Sequence, residues 1–219
     1  PIGWYLYTDY YLNNLWQFKD DADQDIRNSE YNIQRTWYWH NPEGEFYQQP
    51  CTPDNVQDPA NTFNTFFSPS LKKFITAVHY GLRFHECPDD YGRSFKDWYI
   101  MRLAETYLLR AEAYHLNGDN AQAAADINAV RNRAHATPVN AGEVDLDLIL
   151  DERARELMGE EYRLNTLMRM GKLPEYLMKY NGEVVANGYQ LGDHLNKFPI
   201  PNSEIESNKE HELTQNPGY

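Results

Sequence analysis

The chain has 219 residues, enough for one well-filled core or two small domains. Charged residues make up 24% and hydrophobic ones 41%, as in ordinary globular proteins, but the formal charge is −13. That excess of acid excludes a non-specific nucleic-acid binder and docking on anionic lipid through a polybasic patch.

The acids are spread along the chain, which gives a self-repelling surface. Aromatics are the compositional outlier, with 17 Tyr, 9 Phe and 5 Trp. Their flat apolar faces and polar edges suit core packing and the recognition of sugars or peptides alike. No run approaches the 18 apolar residues of a spanning helix. Pro1 opens directly onto Gly3-Trp4-Tyr5-Leu6-Tyr7 with no signal peptide, which reads like the middle of a domain. The expectation is a chain truncated at its N-terminus, with its targeting segment upstream.

Residues 1–95 read as irregular. From Asn28 to His40 the sequence alternates as a half-buried strand. Tyr31, Ile33, Trp37 and Trp39 share the apolar face, opposite Asn32, Gln34, Thr36 and His40, and Tyr38 is the aromatic aimed outward. Five prolines between Asn41 and Pro69 predict a long surface loop. Leu71–Val78 fits a helical stripe and a strand equally well.

Near Phe95 the character changes. Met101–Leu116 and Ala121–Ala134, joined by Gly118-Asp119, predict a helical hairpin of tetratricopeptide type. Tyr107, Ala111, Tyr114, Gly118, Ala123 and Ile127 fall at that repeat's offsets, and Arg110 stands where the repeat usually has Leu. A lone repeat cannot bury its own face, so a neighbour is required. A further helix is predicted from about Asp145 to Met170, bent or split at Gly159. A short helix is expected from Pro174, where proline suits the first turn. Asn181-Gly182 and Asn187-Gly188 suggest turns bracketing a small hairpin at Glu183–Ala186. The proline-rich tail from Phe198 is expected to lie extended. The fold class read from this order is mainly α, with tetratricopeptide-like helical hairpins and a loop-rich, partly β region.

Glu152 and Glu156 lie one helical turn apart, a spacing that suits two-carboxylate sugar hydrolysis. Arginines interleave with them at ion-pair spacing, Asp151 with Arg155 and Glu160 with Arg163. Such arginines lower a carboxyl pKa, whereas a catalytic acid needs it raised, so a structural role is favoured. Asp21, Asp23 and Asp25 alternate like calcium-loop acids, but Ile26 and Asn32 replace the glycine and glutamate of an EF-hand. Weak calcium binding is the most they offer, and no other cofactor is expected. His79, His85, Cys51 and Cys87 match no zinc spacing. Cys51 and Cys87 would bridge only in an exported protein. Phosphate-loop, dinucleotide and nucleophile-elbow motifs are missing from the sequence, which favours binding over catalysis. For a sugar, the candidate platforms are Trp4, Tyr5, Tyr38, Tyr91 and Trp98, with Asn32, Gln34 and Arg93 as hydrogen-bonding partners. For each of these aromatics, packing is the competing role.

Met101-Arg102-Leu103-Ala104-Glu105 through Ala113 resembles the helix that opens the conserved C-terminal block of SusD/RagB proteins. Ala124–Ala134 is similar to a second family helix, and Ile149–Leu157, with Asp151-Glu152-Arg153, to a third. Glu160, Arg163, Leu167, Arg169 and Gly171 follow the family spacing, as do Pro199-Ile200-Pro201, Glu204-Ile205, Asn208 and Gln215–Tyr219. Five segments in family order cover about residues 96–219, and Asp25–Asn32 and Arg35–Asn41 resemble the family's middle region. Ala154 and Leu164-Asn165 depart from the pattern. The resemblance implies one structural domain, with residues 1–95 as its loop-rich, ligand-binding middle region and 96–219 as its helical block. It further implies a non-enzymatic, lipid-anchored protein on the outer face of a Bacteroidetes-type outer membrane. Such a protein captures glycans, or in some members peptides, for a SusC-type TonB-dependent transporter. A tetratricopeptide scaffold for protein partners is the alternative from another class.

Overall fold

The computed structural model describes residues 7–56, 67–73, 99–209 and 211–219, with side chains at 20–23 left aside. The chain divides into two compact units, one reaching Leu157 and one comprising Met158–Tyr219 with Thr8–Tyr10.

The first unit is built on α1 (Leu103–Leu116), α2 (Asn120–Arg133) and α3 (Leu146–Leu157). Gly118 has φ +82°, a left-handed position that ends α1 at little cost for glycine. Asp119 then caps α2, its carboxylate accepting the Gln122 amide at 3.1 Å. Ala104 and Ala111 face Ala123 and Ala124 in one buried cluster with Leu108 and Ile127. Small side chains let the backbones approach, and Tyr107 and Tyr114 pack against the cluster's edge. Arg110 explains its departure from the repeat. It forms two 2.7 Å bonds to Asp126 of α2 and lies over the rings of Tyr107 and Tyr114. The neighbour the hairpin needs is α3, which adds Leu148, Ile149 and Leu157 to the same core.

The α3 helix is unusual in being buried almost all round. Between Leu148 and Leu157 only Asp151 is partly accessible. Its Leu150, Ala154 and Leu157 stripe is apolar, while its other faces carry charge into the interior.

Beta structure is smaller than the alternation predicts. Strand β1 covers only Ile33–Gln34, paired antiparallel with β2, Ser70–Leu71, and a lone bridge joins Tyr38 to Pro50. Upstream, a 3₁₀ turn occupies Ile26–Asn28. Ser29 Oγ donates to Ile26 O at 2.6 Å and Asn32 Nδ2 to Arg27 O at 2.6 Å. Such local side-chain bonds favour turns over strand. Tyr31 is consequently 93% exposed rather than on the buried face, whereas Ile33 is fully buried. Trp37 and Trp39 are half-buried, and Trp37 Nε1 donates to Ser68 O at 3.1 Å. In the loop beyond, Cys51 is a buried thiol; Cys87, His79, His85 and most of Leu71–Val78 lie outside the described residues.

The predicted long helix ends at Leu157, the last residue of the first unit, and α4 begins at Arg163 in the second, with Gly159 between them at φ +77°. Helix α4 spans Arg163–Arg169 and α5 Leu173–Tyr180, with Pro174 in its first turn. The expected hairpin at Glu183–Ala186 is instead a helix, α6, Gly182–Asn187. Asn181 Oδ1 accepts the amides of Glu183 and Val184 at 3.1 Å, and Gly188 closes the helix in the left-handed region. An Asn-Gly pair serves a hairpin turn or a helix end equally well, so the two turn signals are met here by the two ends of a helix.

The tail also differs from its extended prediction, because Asn202–Ser207 forms α7 with Glu204 in the first turn. Beyond it the chain returns to the segment before α7. Gln215 bonds both backbone groups of Ile200, at 2.7 and 2.8 Å, Asn216 Nδ2 reaches Phe198 O at 2.7 Å, and Tyr219 Oη reaches Lys197 O at 2.9 Å. Tyr219 also meets the His194 ring edge-on at 5.0 Å.

Candidate functional site

Of the candidate ligand-binding residues, Asn32, Gln34 and Tyr38 are described. Trp4, Tyr5, Tyr91, Arg93 and Trp98 lie outside the described residues. Tyr38 is 50% exposed between half-buried Trp37 and Trp39, as the strand parity predicts. Trp39 accounts for the ring's setting. Its backbone exchanges bonds with Gln48 and Gln49 at 2.8 and 3.0 Å, and its indole packs on Phe46 and Phe67. Cys51 N donates to Trp37 O at 2.7 Å, so residues 37–39 are held from both sides by the returning loop. Tyr47, on that loop, is 42% exposed. Asn32 and Gln34 each donate an amide N–H to their own chain, Asn32 to Arg27 O and Gln34 to Thr36 O. Their side-chain oxygens are what they can offer a ligand hydroxyl.

A buried charge cluster joins the Asp25–Arg27 turn to α3. Glu152 is fully buried and accepts from Arg27 at 2.8 Å, Arg131 at 2.8 Å and Arg155 at 3.0 Å. Burial pushes its carboxyl pKa up, but Arg27, Arg155 and Arg131 outweigh that and hold it at about 2. Asp25 takes Arg27 bidentately, at 2.9 and 2.6 Å. With both oxygens bonded to Arg27, Asp25 is a poor calcium ligand; the side chains of Asp21 and Asp23 are not described. Glu156 accepts from Arg27 at 3.2 Å, Arg102 at 2.8 Å and Arg133. Burial raises its pKa too, and the bond from Arg102 with the charges of Arg27 and Arg133 brings it net below the ordinary value. Arg131 and Arg155 flank the Phe18 ring at 4.9 and 5.6 Å from its centroid, and Arg155 also donates to Leu15 O. The sequence shows only the α3 half of this cluster, as acids interleaved with arginines, and nothing local announces that Arg27, 125 residues before Glu152, touches it.

A separate groove of about 510 Å³ lies along the start of α1 and the end of α2, lined by Tyr99, Met101, Leu103, Tyr107, Arg102 and Arg133 among others. Tyr31 and Tyr99 are further exposed aromatics, beyond the platforms expected from the sequence.

The chain is 39% identical over 122 residues to the starch-binding protein SusD of Bacteroides thetaiotaomicron, covering 55% of this chain and 21% of that protein. It is 35% identical over 116 residues to a SusD-like protein of Formosa agariphila, covering 50% and 22%. The chain thus matches about a fifth of the length of these curated relatives. A crystal structure of a SusD superfamily protein from Bacteroides vulgatus shares the fold, with TM-score 0.58 at 21% identity over 97% of this chain and 44% of that one. The sequence model of the SusD family matches residues 6–219, so the chain belongs to the SusD family.

Proposed function

We propose that the protein carrying this chain captures glycans at the cell surface and passes them to a TonB-dependent transporter of the SusC type. It would be held at the outer membrane by a lipid anchor. The observation carrying this reading is the exposure of Tyr31, Tyr38 and Tyr47, with Asn32 and Gln34 between the first two in sequence, in a chain of the SusD family. A tyrosine face stacks on the C–H face of a pyranose, and the amide oxygens accept from its hydroxyls. The curated relative named as starch-binding supports glycan over peptide as the ligand class.

Binding without turnover is part of the same reading. A glycosidase acid must keep its proton near neutrality, and Glu152, with its pKa at about 2, is ionised there. Glu152 and Glu156 are enclosed by arginines rather than open to a substrate.

The test is isothermal titration of the full-length protein against soluble starch, a β-glucan, a mannan and a mixed peptide digest. Saturable binding of a polysaccharide, with no reducing sugar released, is expected. Binding of the digest alone would transfer the reading to peptide capture, and release of sugar would replace it with hydrolysis.

A further inference from the structure

We infer that Arg27 and Lys73 are positioning residues that clamp the Asn32-bearing ribbon onto the C-terminal end of α3, and so set the pose of the binding face. The inference rests on the glycan-binding reading above for its functional half.

The argument is a closed circuit of contacts. Arg27 reaches Glu156 and Glu152 through its guanidinium, while its own carbonyl accepts from Asn32 Nδ2 at 2.6 Å. Lys73 donates its ammonium to the carbonyl of Glu156 at 2.6 Å, a cation at a helix C-terminus. Its neighbour Lys72 donates its backbone N–H to Asn32 O at 2.7 Å and its ammonium to Glu30 O at 2.6 Å. Asn32 is therefore gripped twice, through its side chain from Arg27 and through its carbonyl from Lys72. Both grips lead back to Glu156.

A two-residue strand pair has little of its own to fix register or tilt. Only Ile33 and Leu71 are buried in it. Two cations on one helix end supply the missing constraint. A buried ion cluster contributes little net stability over a well-packed apolar one, and setting register is its best-attested use. The chain from Arg27 runs directly into Asn32 and Gln34 and then to Tyr38, so a change of tilt at Arg27 is felt at each candidate contact.

The experiment uses the full-length protein with Lys73→Met, which keeps the aliphatic stem, and Lys73→Arg, which keeps the charge. Hydrogen exchange is followed at the amides of Ile33 and Lys72, and of Leu108 and Ile127 as core references. Titration with soluble starch, or whichever polysaccharide the wild type binds, runs in parallel. Lys73→Met is expected to speed exchange at Ile33 and Lys72 about tenfold, leave Leu108 and Ile127 unchanged, and weaken binding about tenfold. Lys73→Arg is expected to restore both. Unchanged exchange at Ile33 and Lys72, or equal acceleration at Leu108 and Ile127, overturns the inference. Local acceleration with wild-type affinity overturns its functional half. If the wild type binds no polysaccharide, the glycan reading falls by itself, and the exchange contrast still decides whether the clamp exists. Arg27→Lys is the second variant, and its expected pattern is the same in kind.

Discussion

The two units of the chain are stabilised by different physics. In the unit ending at Leu157, an apolar cluster of α1, α2 and α3 adjoins a buried set of arginines and carboxylates. In the unit from Met158 onward, short helices end in left-handed glycines at 171 and 188. There, asparagine and glutamine side chains bond backbone groups. Its apolar contacts include Tyr10 stacked on Tyr180 at 3.8 Å and Tyr176 set edge-on to Tyr180 at 5.2 Å. The first design depends on a few long-range charged groups, and removing any one of them leaves a buried charge uncompensated. The second relies on separate side-chain bonds to backbone groups, each worth about 1 kcal/mol. Charge and pH should therefore act on the first unit, and capping substitutions on the second.

Removing one arginine is the severest way to probe that difference. Arg131→Met leaves Glu152 buried with fewer partners and removes a cation from the Phe18 face. Breaking such a pair costs about 3–5 kcal/mol. Urea unfolding should show this loss, with amides of α5 and α6 keeping their protection.

Acid is the next probe. Glu152 falls from an ordinary 4.5 to about 2 in the folded chain. Because the folded value is depressed, the stabilisation is fully present above pH 4.5 and is lost as pH falls through 2. The unfolded chain binds the extra proton across that window, and the total loss is about 3 kcal/mol. Stability measured by denaturant at pH 6, 4 and 3 should decline in that order. Raising pH from 6 to 8 should not reproduce the effect through this group.

Much of the helical block was legible in the sequence because its signals are local and redundant. The Ala-rich stripes, Gly118-Asp119 and Pro174 each agree with the helix beside them. What misled was ambiguity within a few residues. Asn181-Gly182 and Asn187-Gly188 bracket a helix because the Asn181 side chain found two amides to cap. Ser29 and Asn32 turned a predicted strand into a turn by bonding their own backbone, which put Tyr31 in solvent. The candidate site was legible at Tyr38, whose exposure follows from strand parity. The charge cluster on α3 was legible only as a helix pattern, since its other half, Asp25 and Arg27, lies more than a hundred residues upstream. Periodicity reports a face, and it cannot report which distant segment covers that face.

The mildest probe falls on the second unit. Asn181→Ala removes the cap of α6 and should cost about 1 kcal/mol. Local exchange at Val184 and Val185 should rise while amides of α1 and α2 stay unchanged.

The most direct measurement is titration of full-length wild type and Tyr38→Ala with the polysaccharide that binds best, since Tyr38 is an exposed ring and its loss leaves the core intact. The account predicts at least a tenfold weaker affinity with an unchanged melting temperature. Equal affinity in both proteins would contradict the assignment of this face to glycan capture.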